Sequence, residues 1–455
     1  MGLSVNTDLV IRDEEFGNLV HHIQKGLIYV MNDTGKMLLK LCNGTRTIDD
    51  VITEVRKDYE CDQTLVAQLH QFLQELVKND ILLTDEQPNS TMNQVHNALP
   101  SFSPLMSFES NPLSRTILSA PIVLYWEITN VCNLRCLHCY KNASENPEGH
   151  ELDTAEMKRI IDQLAEQKVF WLAVTGGEPL LKKDVFDLLH YASSKKICIM
   201  LSTNGTLVDD EKAKKLKEAG VLSVQVSIDG IGKVHDEFRG REGTFEKAVN
   251  AVRCLIRAGI PDVTISSVAT RINLQEIPKI VELAISLGVS RYRIITLMPT
   301  GRAKSNMQRL WLSNDEKKQL RKLLLETTEK YSDKIHISQE ERSFNLINNH
   351  LSSVEVPLGC AAARSIAKIS PQGNVYPCSF FDDNKTIAGN LRQKSFREIW
   401  AGAELFKQLR SMDHIEGRCA SCKNLKFCGG GCRAVAYNFS GTIYAEDPEC
   451  WLVVR

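Results

Sequence analysis

The sequence predicts an α/β protein whose central part is a parallel sheet of six strand–helix units, curved into a partial (β/α)6 barrel. Between residues 122 and 298, short apolar runs typical of buried strands alternate with longer runs of helical period. Gly220, Gly259 and Gly288 each follow a helical run, at the place where a left-handed residue commonly ends a helix. A smaller unit precedes this region, and a cysteine-rich unit follows it.

The elements of the central region follow directly from these runs. Strands are expected at 122–128, 169–175, 197–202, 221–227, 262–268 and 292–297. Helices are expected at 154–167, 185–193, 211–219, 245–258 and 277–287. Because ligands of parallel α/β sheets bind at the carboxyl ends of the strands, functional residues are expected where these strands end.

Composition and charge indicate an ordinary globular protein. The chain has 455 residues, of which 43% are hydrophobic and 24% are charged, and its formal net charge is -1. This balance argues against nucleic acid as a partner. Charged residues in the first thirty positions argue against a signal peptide, and no apolar run is long enough to span a membrane. We therefore expect a cytoplasmic protein with two or three domains.

The sequence pattern of residues 16–84 predicts a small winged-helix unit. Two β-rich runs at 20–23 and 27–31 indicate a hairpin, three helical segments follow, and a strand at 81–83 closes the unit. A DNA-binding winged helix is the alternative, but acidic rather than basic residues line the second helix. Residues 87–120 are rich in Asn, Ser and Pro without a steady period, which is typical of a linker.

Three cysteines crowd the loop that leaves the first strand of the central region. Cys132, Cys136 and Cys139 have the spacing C-x3-C-x2-C. In a cytoplasmic protein such thiols are expected to be metal ligands rather than disulfide partners. Three thiolates can hold three irons of a four-iron cluster and leave the fourth iron free to bind a small molecule. A structural zinc is the alternative, although zinc sites usually close with a fourth Cys or His nearby.

Polar turns follow the next three strands at the same edge of the sheet, at 175–179, 202–205 and 227–230. One such turn alone would be ordinary. Three of them beside a three-cysteine loop can supply the close backbone approach and the polar anchors that an adenine, a ribose and an amino acid require. Glu178, in the first of these turns, is the natural partner for a ligand ammonium.

Seven more cysteines lie in the last hundred residues, beyond a charged, helical bridge expected at 301–355. A single four-coordinate site cannot use seven thiols, so two sites are expected, with either zinc or iron–sulfur clusters. The three glycines 429–431 let the chain fold tightly between two of these ligands. The seven cysteines are Cys360, Cys378, Cys419, Cys422, Cys428, Cys432 and Cys450.

Residues 121–300 resemble a radical S-adenosylmethionine (SAM) barrel. The cysteines that match the cluster ligands of that family are Cys132, Cys136 and Cys139. The residues that match the loop holding the SAM amino group are Gly176, Gly177 and Glu178. The resemblance also implies ribose or carboxylate contacts at Ser202, Asn204, Ser227 and Asp229. It implies that the ring of His138 lies against the adenine and that Arg239 faces the SAM carboxylate.

The two flanking units extend the resemblance. Residues 1–86 are similar to the peptide-chaperone domain of pyrroloquinoline quinone biosynthesis, also called the RiPP recognition element, for ribosomally made and post-translationally modified peptides. This implies that residues 16–84 bind a leader peptide as an added strand. Residues 356–455 resemble the SPASM domain, which houses two auxiliary four-iron clusters. One cluster would be fully ligated by Cys419, Cys422, Cys428 and Cys450. The other would keep an open iron and be held by Cys360, Cys378 and Cys432.

The order of the three domains looks like that of thioether-forming peptide maturases, the sactipeptide and ranthipeptide group. The resemblance implies SAM, three [4Fe-4S] clusters, and a 5′-deoxyadenosyl radical that takes hydrogen from a precursor peptide before a Cys S–C bond closes. It also implies an electron donor of the flavodoxin or ferredoxin type. The alternatives are carbon–carbon or carbon–oxygen cross-linking, sulfatase-type formylglycine formation, and a non-catalytic iron–sulfur redox scaffold.

Two residue-level points bear on these alternatives. Formylglycine-forming enzymes place a carboxylate just after the cysteine that matches Cys378, whereas this chain has Ser379. The non-catalytic scaffold would have no need of the Gly176, Gly177 and Glu178 turn. The sequence names no general base, so the catalytic residues proper stay unassigned.

Overall fold

The computed structural model describes residues 2–84, 102–104, 117–145, 149–339, 360–411 and 415–450. The chain forms two compact units, Met1–Pro112 and Leu113–Arg455, called here the N-terminal unit and the main unit. Most of the predicted linker at 87–120 and the end of the predicted bridge, 340–355, lie outside the described residues.

The N-terminal unit combines a small sheet with three helices. Its strands are β1 Leu3–Val5, β2 Leu9–Glu14, β3 Gly17–His22, β4 Leu27–Met31, β5 Leu82–Thr84 and β6 Phe102–Pro104. Its helices are α1 Asp33–Leu41, α2 Ile48–Asp58 and α3 Gln63–Lys78. The main sheet of the unit has the order β2-β3-β4-β6, and β1 pairs with β5. The predicted hairpin is the antiparallel pair β3–β4, in which His22 lies opposite Leu27.

The sequence marks the starts of these helices clearly. Asn32, Thr47 and Asp62 each accept a hydrogen bond from a backbone N–H of the first turn, which satisfies a donor that has no partner inside the helix. The helices bury apolar faces against one side of the sheet, in a core that includes Val20 and Leu73. Local capping and burial together account for the three helices.

Three strands of this unit, β1, β2 and β6, were not predicted. Strand β2 ends in Arg12, Asp13 and Glu14, and such a charged run does not show the apolar alternation of a strand. In the structure Arg12 and Glu14 form a buried ion pair with an Nε–Oε1 distance of 2.7 Å. Strand β6 lies within the predicted linker and pairs in parallel with β4.

The main unit is built on a ten-stranded sheet with the order β13-β12-β11-β10-β9-β8-β7-β14-β15-β16. The strands are β7 Val123–Glu127, β8 Trp171–Thr175, β9 Cys198–Thr203, β10 Val221–Ser227, β11 Asp262–Ala269, β12 Arg291–Thr296, β13 His336–Gln339, β14 Ile366–Ile369, β15 Asn374–Tyr376 and β16 Gly389–Asn390. All neighbours from β13 to β14 are parallel, and β15 and β16 add in antiparallel fashion. The six predicted strands, β7 to β12, are thus confirmed as parallel neighbours in chain order.

The helices of the main unit connect these strands. They are α4 Thr154–Glu166, α5 Val185–Ser194, α6 Asp210–Glu218, α7 Lys233–Arg239, α8 Thr244–Arg257, α9 Ile277–Ser286, α10 Gly301–Ser305, α11 Met307–Leu310, α12 Asn314–Tyr331, α13 Phe396–Gly402, α14 Glu404–Arg410, α15 Leu425–Cys428 and α16 Arg433–Ser440. Gly220, Gly259 and Gly288 have φ values of +80°, +73° and +75°, as expected for residues that end helices.

The two faces of the sheet differ in chemistry. On β10, Val224 and Val226 belong to the apolar core that the sheet forms with the surrounding helices. The alternate residues, Gln225 and Ser227, line a cavity on the other face. Because side chains alternate along a strand, one face packs and the other is left for polar groups.

The sheet extends beyond the six predicted strands at both edges. Strand β13 comes from the segment predicted to be a helical bridge, and it pairs with β12. Strand β14, from the C-terminal cysteine-rich region, pairs in parallel with β7. The C-terminal region therefore shares the sheet of the predicted barrel, because two segments about 240 residues apart pair along their backbones.

Candidate active site

A cavity of about 260 Å3 lies at the carboxyl edge of the parallel sheet. Each of the six predicted strands contributes a side chain to its lining. These side chains are Tyr125, Ala173, Ser202, Gln225, Ser266 and Arg293. Since residues from six adjacent strands surround one space, the sheet curves around it, as a partial barrel requires.

The three cysteines of the loop after β7 line this cavity together. Cys132 and Cys136 are buried, and Cys139 is half-buried, beside Leu134 and Ala143. Burial raises the pKa of Cys132 to about 12 and also raises the pKa of Cys136. Such thiols resist ionisation until a cation binds, and soft sulfur donors of this kind suit iron–sulfur clusters. The donor set therefore fits a cluster.

The cysteine loop is held from the opposite side by the segment that follows β12. Arg302 donates from Nε to the carbonyl oxygen of Cys136 at 3.1 Å and from Nη1 to that of Ala143 at 2.9 Å. Thr300 donates from Oγ1 to the carbonyl oxygen of Tyr140 at 2.9 Å. Sequence reasoning missed these residues. The sequence feature that could have identified them is the polar Thr-Gly-Arg turn after the sixth strand, where functional residues are expected.

The glycine turn after β8 packs directly against the backbone of the cysteine loop. Gly177 donates its N–H to the carbonyl oxygen of Thr129 at 2.7 Å, and Glu178 donates its N–H to that of Val131 at 2.8 Å. A Cβ atom on Gly177 would lie 2.1 Å from the oxygen of Val131, so only glycine fits at this position. Gly176 and Gly177 line the cavity, and their contact with SAM stays a prediction.

Glu178 lies behind the cavity wall and is not among its lining residues. Its Oε1 accepts hydrogen bonds from the N–H of Leu180 at 3.2 Å and the hydroxyl of Thr203 at 2.7 Å, and its Oε2 accepts one from the N–H of Asn204 at 2.8 Å. Burial raises the pKa of Glu178 in spite of these hydrogen bonds. In this structure its carboxylate fixes the next turn, and a contact with a ligand ammonium stays a prediction.

The structure brings the remaining predicted cofactor residues together around the cavity. Ser202, Asn204 and Ser227 line it directly. The side-chain amide of Asn204 donates to Asn133 Oδ1 at 2.9 Å, which ties the third strand's turn to the cysteine loop. Sequence reasoning did not single out Asn133, because a lone asparagine between two cysteines gives no signal of its own.

Asp229 and Arg239, ten positions apart, form a buried ion pair in the cavity wall. Burial acts to raise the pKa of Asp229, but the guanidinium of Arg239 outweighs it and holds that pKa below the usual value. Arg239 also directs Nη1 to the sulfur of Cys136 at 3.7 Å. A positive charge beside this sulfur favours the thiolate that a metal ion requires.

His138 lies in the cavity wall with its ring stacked on Phe238, at a centroid distance of 4.4 Å and an interplanar angle of 12°. Burial lowers the pKa of His138 to about 3, so the ring is neutral at neutral pH. A neutral ring held flat in this way can stack on another flat ring, and the contact of His138 with adenine stays a prediction.

Cys378 also reaches the cavity, with Ser379 and Phe380 beside it. Close by, a buried charged network joins the cysteine loop to the C-terminal region. Lys368 lies 2.7 Å from Asp382 and 3.6 Å from Glu127, measured between Nζ and carboxylate oxygens. Lys141 contacts the same two carboxylates. Two lysines opposite two carboxylates balance their charges, which allows Lys141, Lys368 and Glu127 to be buried while Asp382 is half-buried.

Four of the seven C-terminal cysteines lie near one another, and the other three lie in or against the main core. Burial raises the pKa of Cys419, against the influence of the nearby Arg433, and three neighbouring thiols raise it further. Those thiols are Cys428, Cys450 and Cys422. This is the group expected to ligate one cluster fully. Cys378 and Cys432 lie in the main core, and Cys360 packs against it.

Two absences hold for the described ranges. Within them, no three His, Cys, Asp or Glu side chains are arranged to hold a single metal ion. A four-iron cluster does not need such an arrangement, because each thiolate binds a different iron. No helix in the same ranges is long and apolar enough to cross a membrane.

Comparison with protein families divides the chain into three matches. Residues 126–284 match the radical SAM superfamily, residues 360–423 match an iron–sulfur cluster-binding domain named SPASM, and residues 18–82 match coenzyme PQQ synthesis protein D, PqqD. The order of the three matches is the one that the sequence resemblance predicted.

Curated relatives match a larger share of the chain than the superfamily model does. The chain is 34% identical to an AdoMet-dependent heme synthase of Methanosarcina barkeri over 342 residues, which are 73% of this chain and 97% of that relative. It is 35% identical to the mycofactocin maturase MftC of Mycolicibacterium smegmatis over 341 residues, 73% of this chain and 83% of that relative. The chain therefore belongs to the radical SAM superfamily.

Solved structures show the same fold, and one of them does so over a longer span of the chain. Streptococcus suis SuiB bound to S-adenosylmethionine is 18% identical, with a TM-score of 0.72 over 98% of this chain and 100% of that one. The enzyme anSMEcpe with bound AdoMet and a peptide is 21% identical, with a TM-score of 0.58 over 71% of this chain and 92% of that one. Membership of the superfamily, together with the SPASM match, implies that the chain uses SAM and iron–sulfur clusters.

Proposed function

We propose that this protein is a radical SAM maturase that modifies a ribosomally made precursor peptide. One combination carries the proposal: a PqqD-type unit precedes a radical SAM barrel in the same chain, and three cysteine thiols line the cavity of that barrel. A structural relative, SuiB, has been solved with its precursor peptide SuiA. A heme synthase reaction, suggested by the first relative, would leave the PqqD-type unit without a task.

Residues 16–84 of the N-terminal unit would bind the leader of the precursor as an added strand. On the β4 side of the predicted hairpin, Ile28 to Val30 pair with Phe102 to Pro104 of β6. A leader that adds on this side must displace β6. Because β6 has only three residues, a longer leader strand would form more backbone hydrogen bonds and replace it.

The residues of the main unit would share the work of holding the cofactors. Cys132, Cys136 and Cys139 would hold the first cluster, and the turns with Gly176, Ser202, Asn204, Ser227 and Asp229 would hold SAM. When bound, the reduced cluster and SAM supply a 5′-deoxyadenosyl radical that abstracts a carbon-bound hydrogen. The hydrogen bonds that tie the loops together would fix the geometry of the reacting centre.

Seven C-terminal thiols would hold two auxiliary clusters, for three [4Fe-4S] clusters in all. The first set is Cys419, Cys422, Cys428 and Cys450. The second set, with one iron left open, is Cys360, Cys378 and Cys432. A flavodoxin- or ferredoxin-type protein would supply electrons to the first cluster.

The bond that we propose is a thioether between a cysteine sulfur and a carbon of the same peptide. Cys378 and Ser379 border the cavity, so a cluster held by Cys378 would lie beside the substrate and could bind its thiolate. A formylglycine reaction is less well supported, because Ser379 stands where those enzymes place a carboxylate. No described residue is proposed as the general base.

The test is turnover by the anaerobically reconstituted full chain with SAM, a reductant and the candidate precursor peptides encoded beside its gene. Loss of two hydrogens from a peptide, with loss of one free thiol, is the expected result. A modified peptide with an unchanged thiol count would overturn the thioether and favour a carbon–carbon or carbon–oxygen bond. SAM cleavage by wild type but not by a Cys132→Ala variant would exclude a purely redox scaffold.

A further inference from the structure

Arg433 is a buried cation in the C-terminal region, directly after Cys432. Its side chain is fully buried. Its Nη1 donates to the carbonyl oxygens of Ile443 at 3.0 Å and Ala445 at 2.7 Å, and its Nη2 donates to that of Gly430. Among the described residues, no carboxylate forms an ion pair with this guanidinium, and its Nε has no hydrogen-bond partner. The neutral carbonyls satisfy part of the guanidinium without cancelling its charge.

The charge of Arg433 therefore needs a negative group beside it, because a buried charge is costly unless an opposite charge lies nearby. Asp447 is a buried carboxylate of the same region. Its Oδ2 accepts a hydrogen bond from the N–H of Cys432 at 2.7 Å, and its Oδ1 accepts one from the N–H of Glu449 at 2.9 Å. Both oxygens thus bind the backbone, and Asp447 does not pair with Arg433.

The thiols proposed to hold one auxiliary cluster lie beside Arg433. Gly430, which accepts a hydrogen bond from Arg433, donates its own N–H to Cys428 Sγ at 3.3 Å. A single residue therefore connects the guanidinium with this sulfur. The guanidinium also acts on Cys419, where it opposes the rise that burial causes in the pKa of the thiol. The other two carbonyl partners of the guanidinium belong to the segment that leads to Cys450.

We propose that Arg433 is the counter-charge of the auxiliary cluster proposed at Cys419, Cys422, Cys428 and Cys450, and that it raises the reduction potential of that cluster. The inference rests on the proposed ligand set. A four-iron cluster gains a negative charge when it takes up an electron, and its potential depends on net charge and on hydrogen bonds to its sulfurs. A fixed cation nearby stabilises the reduced form. Because arginine keeps its proton in proteins, no proton has to accompany the electron.

A raised potential suits the thioether reaction proposed above. When a peptide thiol has released its proton to solvent and its thiolate joins a carbon radical, the new C–S bond leaves one electron over. A cluster whose reduced form is stabilised is the better acceptor for this electron. Arg433 acts through the cluster and does not touch the reacting atoms, so it tunes electron transfer and is not a catalytic residue.

A redox titration followed by EPR tests this role without requiring turnover. The anaerobically reconstituted full chain is titrated with dithionite in the presence of redox mediators, and the signals that do not respond to SAM report the auxiliary clusters. Arg433→Gln removes the charge and keeps hydrogen-bond donors, whereas Arg433→Lys keeps the charge. Arg418→Gln is the matched control. Arg418 also lies near Cys419, but it is exposed and pairs with Glu446 at 2.7 Å, so water screens its charge.

The comparison is made at the potential where the wild-type cluster is half reduced. There Arg433→Gln should lower the ratio of reduced to oxidised cluster at least about 10-fold, a shift of ~59 mV for one electron, because a buried charge acts through a low effective dielectric. Arg433→Lys should retain most of the wild-type ratio, and Arg418→Gln should change it little. Equal ratios in the wild type and Arg433→Gln, or equal losses in Arg433→Gln and Arg433→Lys, would overturn the proposal, because Arg433 would then serve the fold alone. A shift in Arg418→Gln as large as that in Arg433→Gln would also overturn it.

The pH dependence of the wild-type potential keeps the test decisive even where the Arg433 variants do not retain their iron. Arginine holds its charge across the accessible range, so the ratio at a fixed potential should stay constant between about pH 6.5 and 8.5. A ratio that falls about 10-fold per pH unit would overturn the proposal, because a titrating group would then balance the charge of the reduced cluster.

The outcomes separate this inference from the proposed function. If the wild type modifies its peptide while Arg433→Gln has the wild-type ratio, the role of Arg433 is wrong although peptide maturation stands. If no peptide is modified while Arg433→Gln still lowers the ratio, the proposed function fails and the role of Arg433 stands. A wild type without any SAM-independent EPR signal would overturn both the proposed auxiliary clusters and the role of Arg433.

Discussion

The contact between the glycine turn and the cysteine loop gives the sharpest structural prediction. Gly177 has no positive φ, so alanine at this position meets no conformational penalty from the backbone. The obstacle is space, because the new Cβ would lie 2.1 Å from the oxygen and 2.6 Å from the carbonyl carbon of Val131. Both atoms belong to the backbone and cannot rotate away as a flexible side chain could.

The expected effect of Gly177→Ala can be worked from these distances. To reach even a tight 3.0 Å contact, the two loops must part by about 0.9 Å. This would lengthen the Gly177 N to Thr129 O hydrogen bond from 2.7 Å to roughly 3.6 Å, beyond hydrogen-bonding range. Overpacking costs about 1–3 kcal/mol and a lost hydrogen bond about 1 kcal/mol, so the variant should lose about 2–4 kcal/mol of unfolding free energy.

The assay compares Tm and SAM affinity of the anaerobically reconstituted variant with those of the wild type. We expect a fall in Tm of roughly 5 °C or more and a SAM Kd at least about 10-fold higher, because the displaced turn lines the cavity. Gly402→Ala is the matched control, since Gly402 also lacks a positive φ and its added Cβ meets nothing within 4 Å. A Gly177→Ala variant with the wild-type Tm and SAM Kd would refute this account of the glycine turn.

Three further predictions follow from buried charges. Arg239→Met should cost about 3–5 kcal/mol of unfolding free energy because it leaves Asp229 buried without its ion pair, and adding Asp229→Leu should recover much of the loss in denaturant unfolding. Glu127→Gln should lower Tm, because two buried lysines would then share a single carboxylate, and an unchanged Tm would contradict the network. Burial lowers the pKa of His21 to about 3 and that of His22 to about 4, below the usual 6.5. The unfolded N-terminal unit therefore takes up protons first as pH falls, and its stability, intact above about pH 6.5, should drop by about 2 kcal/mol per histidine at pH 5 in pulse proteolysis with urea.

The barrel and the cavity were predictable because their signals are local. Alternating apolar and helical runs place the strands β7 to β12, and glycines such as Gly220 mark the ends of helices. The C-x3-C-x2-C spacing and the turns after the strands then fall at one edge of the sheet by the geometry of parallel strands alone. Asp229 and Arg239 form an ion pair at the same edge of the sheet, although no local sequence pattern predicts that these two residues interact.

The parts that sequence reasoning missed depend on contacts between distant segments. The pairing of β14 with β7 joins residues about 240 positions apart. Nothing in the sequence of either strand indicates which strand it pairs with. Lys368 is fully buried because Glu127 and Asp382 balance its charge. The sequence of the short strand that contains Lys368 does not indicate that this lysine is buried or which carboxylates it contacts. Strand β2 was missed for a related reason. Its charged end is typical of an exposed loop, and only the structure shows that Arg12 and Glu14 form an ion pair that allows both to be buried.

The central claim is that ten cysteine thiols hold three iron–sulfur clusters, one of which binds SAM. The most direct test is iron analysis with Mössbauer and EPR spectroscopy on the anaerobically reconstituted full chain, alongside a variant in which Cys132, Cys136 and Cys139 are all alanine. The account predicts roughly twelve irons in the wild type and roughly eight in the variant, with a SAM-induced change in the EPR spectrum only in the wild type. Iron near zero, zinc in its place, or the same iron content and SAM response in both proteins would contradict it.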